Sequence, residues 1–75
     1  MEYVTFGEAL IHLKNGGMVT KKGWHTADIK CNIAIDRDHI IVVHKEYENG
    51  NLKKLLSDVW RPKTFELLDE DWIKE

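Results

Sequence analysis

The segment from His39 to Tyr47 constrains this chain most, because Ile40 and Val42 alternate with Ile41 and Val43 and make a strand apolar on both faces. A strand of that kind needs cover on both sides. The flanking residues say what sheet it joins. Before it, Asp28 to Asp36 puts Ile29, Cys31, Ile33 and Ile35 on one parity and Lys30, Asn32 and Ala34 on the other, the alternation of a half-buried strand. Asp36-Arg37-Asp38 turns the chain. After it, Asn49-Gly50 is a strong hairpin dipeptide, so Leu52 to about Leu56 should return antiparallel.

The ends of the chain supply helices and short strands. Thr5-Phe6-Gly7-Glu8 has the form of a capping box, and Phe6, Ala9, Leu10 and Leu13 follow at i, i+3, i+4 and i+7. This predicts a helix over 6–15, with Asn15-Gly16-Gly17 as its exit and its apolar stripe on a sheet. Met18 to Lys22 reads as a short strand broken at Gly23-Trp24. Pro62 interrupts pairing, Thr64 with Glu66-Leu67-Leu68 suggests one helical turn, and Asp71 to Lys74 suggests a last strand. The expected fold class is α+β, with an N-terminal helix packed on a small antiparallel sheet and a short helical turn before the last strand. Residues 1–75 form one domain.

Seventy-five residues are few for such a domain, since folding at this size hides only about 60% of the surface the unfolded chain exposes. The usual staples are missing: the single Cys31 closes no internal disulfide, which fits a reducing compartment. The helix can cover one face of the two-faced strand. A partner subunit is the natural cover for the other.

The longest aliphatic run, Ile40 to Val43, is far short of the about 20 residues of a membrane span. No membrane partner is expected. A net charge of −2 and a pI near 6.1 argue against a nucleic-acid polymer as partner, because such binding rests mostly on neutralised phosphates. The charge is unevenly spread, however. Glu2, Glu8 and Lys14 leave residues 1–15 at −1, residues 64–75 stand at −4, and the middle is therefore basic at +3, with clusters at Lys21-Lys22, Lys53-Lys54 and Arg61/Lys63. Such clusters could hold a small anion, but the reading favoured from the residues alone is solvated strand edges, where lysine discourages aggregation.

No catalytic constellation is present. The four histidines lack metal-ligand spacing, since His39 and His44 fall on opposite faces of one strand and His12 stands alone on the helix. Cys31 shares its parity with isoleucines, which marks a core thiol rather than a nucleophile. There is no phosphate-cradling Gly-rich loop and no Gly-x-Ser-x-Gly elbow. No enzyme activity, cofactor or metal site is expected. The three tryptophans say more. Trp72 reads as a core anchor, whereas Trp24 and Trp60 each stand at a strand break, beside Gly23 and Arg61-Pro62. An indole face with nearby Lys or Arg suits stacking on a nucleobase and holding its phosphates, and core packing accounts for the same residues.

Phe6-Gly7-Glu8-Ala9-Leu10, Gly16-Gly17, Lys22-Gly23-Trp24, Trp60-Arg61-Pro62 and Leu67-Leu68 with Glu70-Asp71-Trp72 together resemble the small phage and prophage family known as Thoeris anti-defence 2. The likeness lies in both ends and the first strand, and 28–56 departs from the pattern. It implies a non-catalytic sponge acting in the cytoplasm of the bacterial host. Members of that family bind cyclic ADP-ribose isomers made by a Thoeris immune sensor, hold them intact, and so silence the effector. The resemblance further implies a homo-oligomer, dimer or tetramer, with pockets where subunits meet. By motif position, Trp24 and Trp60 would stack on the adenine or ribose, and Arg61, Lys63 and Thr64 would face phosphates or sugar hydroxyls. Glu66 stands where the family commonly has Asp, and it would accept from a ribose hydroxyl or cap the short helix. An alternative reading of the same aromatic loop is a phage accessory module that engages a host protein.

Overall fold

The computed structural model describes residues 2–75. In chain order it contains α1 (Phe6–Lys14), β1 (Val19–Lys21), β2 (Ile29–Asp36), β3 (His39–Glu48), β4 (Asn51–Val59), α2 (Thr64–Leu68) and β5 (Trp72–Lys74). The strands form one antiparallel sheet in the order β4-β3-β2-β1-β5. This is the expected α+β arrangement. The sequence pattern did not indicate that β5 would close the sheet beside β1.

The Thr5 hydroxyl accepts the Glu8 N–H at 3.3 Å, so half of the capping box forms. The return bond from the Glu8 side chain is not made, and Glu8 lies exposed. Ala9 and Leu13 are buried and Phe6 and Leu10 partly so, which puts the predicted stripe on the sheet. The exit turns at Gly16 with φ +90°, where its N–H reaches Leu13 and that of Gly17 reaches His12. Gly17 has a second reason to be glycine. A Cβ there would overlap the His12 ring, whose Nε2 sits 2.6 Å from the Glu75 carbonyl oxygen.

The helix packs on β5, β1 and β2 and stops there. Val4, Ala9, Leu13, Val19, Ile33 and Trp72 make the buried core beneath it. The alternation in β2 therefore holds only in part. Ile33 is fully buried opposite Val19 and Val42, but Ile35 lies beyond the helix and is exposed. Asn32, expected on the solvent parity, is buried on the opposite face with its Oδ1 unpaired.

Asn49 and Gly50 both adopt positive φ, at +53° and +80°, as a tight hairpin turn requires. The return strand runs from Asn51 to Val59, longer than the turn alone indicated, with a bulge opposite Glu46/Tyr47. No residue of β3 is fully buried and every residue of β4 is exposed. The two-faced strand thus has incomplete cover on both faces. The radius of gyration of 12.4 Å exceeds the about 11 Å typical of this length, because the hairpin projects from the core.

Candidate functional site

Trp72 is the centre from which the site is built. Lys21 lies opposite it in the β1–β5 register, and its ring is fully buried. Three aromatic rings surround it. Trp24 meets it edge-on at 5.3 Å between centroids, Trp60 edge-on at 5.7 Å, and Phe6 tilted at 5.3 Å. Phe6 also touches Trp60 at 5.6 Å. Tilted and edge-on pairs place the positive rim of one ring against the negative face of another, which gains about 0.5–1.5 kcal/mol per pair beyond area burial.

Backbone bonds fix where Trp24 and Trp60 leave the sheet. The Trp24 N–H donates to the Lys21 carbonyl at 2.9 Å in the turn through Gly23, whose φ is +86°. The Trp60 N–H donates to the Ile40 carbonyl at 2.9 Å, extending the β3–β4 ladder by one pair. Both rings keep part of their surface in solvent. The structure therefore brings these two distant tryptophans onto one buried ring.

The residues after Trp60 form a fixed loop. The Lys63 N–H donates to Glu66 Oε1 at 2.9 Å, and the Trp72 indole N–H donates to the Glu66 carbonyl at 3.0 Å. Glu66 thus ties α2 to the aromatic centre by its backbone and caps the helix start by its side chain. Arg61, Lys63 and Thr64 are exposed, Thr64 being the first residue of α2 rather than part of the loop. Neither Arg61 nor Lys63 has an ion-pair partner among the described residues.

Lys21 behaves differently from the other cations. It is buried, with Nζ 2.8 Å from both Asp69 Oδ2 and Asp71 Oδ1 and 5.8 Å from the Trp72 ring centre. Burial lowers the pKa of its ammonium, but the hydrogen bonds and charges of Asp69 and Asp71 outweigh this and leave it raised. The Lys21-Lys22 pair is consequently not one anion site. Lys21 neutralises the acidic segment beneath the aromatic cluster, and Lys22 stands outside over the Tyr3 ring at 5.8 Å. Lys53 and Lys54 lie on the edge strand β4, in the solvated position that the bland reading of the basic clusters gave them.

Sequence patterning missed Phe6 and Lys21 as parts of this cluster. The signal for Phe6 was its place at the start of the helical stripe; Lys21 gave none, because its partners are near the other end of the chain. A cavity of about 220 Å³, lined by Tyr3, Lys22, His25, Ile73 and Glu75 among others, was also not foreseen. None of Trp24, Trp60, Arg61, Lys63, Thr64 and Glu66 lines it. Cys31 is half-buried, and burial pushes its thiol pKa up, against nucleophilic use. No cluster of three or more potential metal ligands and no helix long and apolar enough to cross a membrane occurs among the described residues.

The family model for the Thoeris anti-defense 2-like domain matches residues 4–74. The chain belongs to this family. The match runs through 28–56, the segment without the family's motifs, and it takes in the whole aromatic cluster and the Trp60 loop. Membership places the chain among proteins of phage anti-defence against Thoeris immunity. No curated protein and no solved structure matches the chain.

Proposed function

We propose that this protein is a non-catalytic sponge for a cyclic ADP-ribose isomer, acting in the bacterial cytoplasm as a homo-oligomer. The observation that carries the reading is the pair of partly exposed indoles, Trp24 and Trp60, braced on Trp72 beside the unpaired cations Arg61 and Lys63. A braced aromatic loses little freedom when a base stacks on it, and a flexible cation can follow a phosphate. Thr64 supplies a hydroxyl for sugar or phosphate. With Glu66 Oε1 engaged by Lys63 N–H, its other carboxylate oxygen is the one free to accept from a ribose hydroxyl. Sequestration then needs only affinity and copy number, because a tight binder in excess lowers the free signal by mass action.

Calorimetry with a panel of cyclic ADP-ribose isomers tests this. One isomer should bind, and denaturation should return it chemically intact. Trp24→Ala and Trp60→Ala should each weaken binding by about 1–3 kcal/mol, or roughly 5- to 150-fold. No heat with any isomer, together with unchanged activity of a signalling extract, overturns the reading.

A second reading has its own observation. Phe65 and Leu68 are exposed on α2, next to the same loop, as a surface for a host protein would have them. Co-purification of a host protein with the wild type, with no nucleotide bound, would favour it.

A further inference from the structure

We infer that a second copy of the chain docks along the free edge of β4, pairing antiparallel about a two-fold axis at Leu56. The hydrogen-bond pattern identifies the free groups. The Trp60 N–H donates to Ile40 and the Tyr47 N–H to Asp28, so even-numbered residues of β3 turn toward β4 and odd-numbered ones toward β2. On β4 the backbones of Lys54, Leu56 and Asp58 therefore face β3 and those of Leu55, Ser57 and Val59 face outward, while Lys53 is the extra residue of the bulge. Leu55 and Ser57 find no outward partner among the described residues. The Val59 N–H is met only by the Asp58 carboxylate, at 2.7 Å. This is an open strand edge with Leu52, Leu55, Leu56 and Val59 all exposed.

The occupant follows from self-complementarity. A two-fold axis normal to the sheet keeps each side chain on its own face, so between Lys54 and Val59, on one side of the bulge, a residue of β4 can oppose only one of the same parity. Centring on Leu55 sets Lys54 against Leu56 and Leu55 against its own copy. Centring on Ser57 sets Leu56 against Asp58, and centring on Lys54 sets lysine against lysine. Centring on Leu56 sets Lys54 against Asp58 of the partner subunit twice, Leu56 against its own copy, and Leu55 against Ser57 of the partner subunit. Of these four registers it alone matches opposite charges and leaves no leucine facing a carboxylate.

This deepens the proposed function, on which the link to ligand rests. In the Leu56 register the hairpin turn of the partner subunit comes beside the Trp60 loop. One copy would then wall the aromatic site of the other.

Native mass spectrometry, and oxidative cross-linking in a Cys31→Ser background, test the register. Leu56→Cys should give a disulfide-linked dimer and Leu55→Cys should not, since only position 56 meets itself in a non-hydrogen-bonded pair. Lys54→Glu should weaken association about tenfold, and Lys54→Glu with Asp58→Lys should restore it. A monomer at high micromolar concentration, equal cross-linking at 55, or no rescue by the double swap overturns the proposal. Ligand heat measured on the same samples keeps the two readings apart: a cross-linked dimer that binds no isomer sinks the sponge alone, and a binder that fails the register tests sinks the β4 interface alone.

Discussion

The end of the sheet built from β5, β1 and α1 contrasts with the β3–β4 hairpin at the other end. Five of the six buried apolar residues, Val4, Ala9, Leu13, Val19 and Trp72, belong to the first, whose strands are only three residues long. The hairpin has strands of ten and nine residues paired along their length apart from one bulge, yet buries none of them fully. A ladder of backbone bonds therefore does not make a core. Burial depends on what lies over the sheet, and one nine-residue helix covers only the β5 end. The hairpin keeps its order through local turn chemistry and its apolar faces remain open, which is the physical opening for a second copy.

Three substitutions break or sharpen this contrast. Trp72→Ala should have the largest effect, because it removes the ring against which Phe6, Trp24 and Trp60 all pack. A loss of about 3–5 kcal/mol is expected, against roughly 0.05–0.15 kcal/mol of stability per residue for a whole domain. Calorimetry should then show no cooperative unfolding transition. A transition shifted by only a few degrees would place the core elsewhere.

Lys21→Met should cost about 2 kcal/mol, since it leaves Asp69 and Asp71 facing each other without their shared cation. Its pH dependence has a definite sign. Because the folded-state pKa of Lys21 is raised, its contribution is complete below the ordinary lysine value of about 10.4 and drains away as pH climbs through the higher folded value. Urea midpoints of the wild type should fall over that alkaline range, and those of Lys21→Met should lack this component. Equal slopes in the two proteins would contradict the assignment.

Leu55→Thr, on the hairpin, should have the smallest effect. In dilute solution, where the residue touches only solvent on its open side, the change should stay within about 0.5 kcal/mol. At concentrations where copies associate, the same substitution should lower the melting temperature relative to wild type. A large effect at every concentration would mean that the hairpin is already covered within one chain.

Residues close in sequence were the readable ones. The Thr5 cap, the Phe6 to Leu13 stripe, the Asn49-Gly50 turn and the short helical turn at 64–68 all depend on neighbours within a few positions, and all stand where local chemistry put them. The two-faced pattern of β3 likewise announced a strand that one chain covers only in part. Trp24 and Trp60 could be singled out because each follows a strand at a break.

Contacts between the chain ends were not legible. Lys21 reads as half of a surface basic pair, and only the antiparallel pairing of β1 with β5 turns it inward against Asp69 and Asp71. Ile35 reads as inside, and the reach of the helix leaves it exposed; Asn32 reads as outside, and it is buried on the face away from the helix. Trp72 could be taken for an anchor, but not for the ring that joins Trp24 to Trp60, because that depends on where β5 inserts in the sheet. Periodicity within a segment says which residues share a face. Only the tertiary arrangement decides what that face meets, and here it separates a closed aromatic core from an open edge.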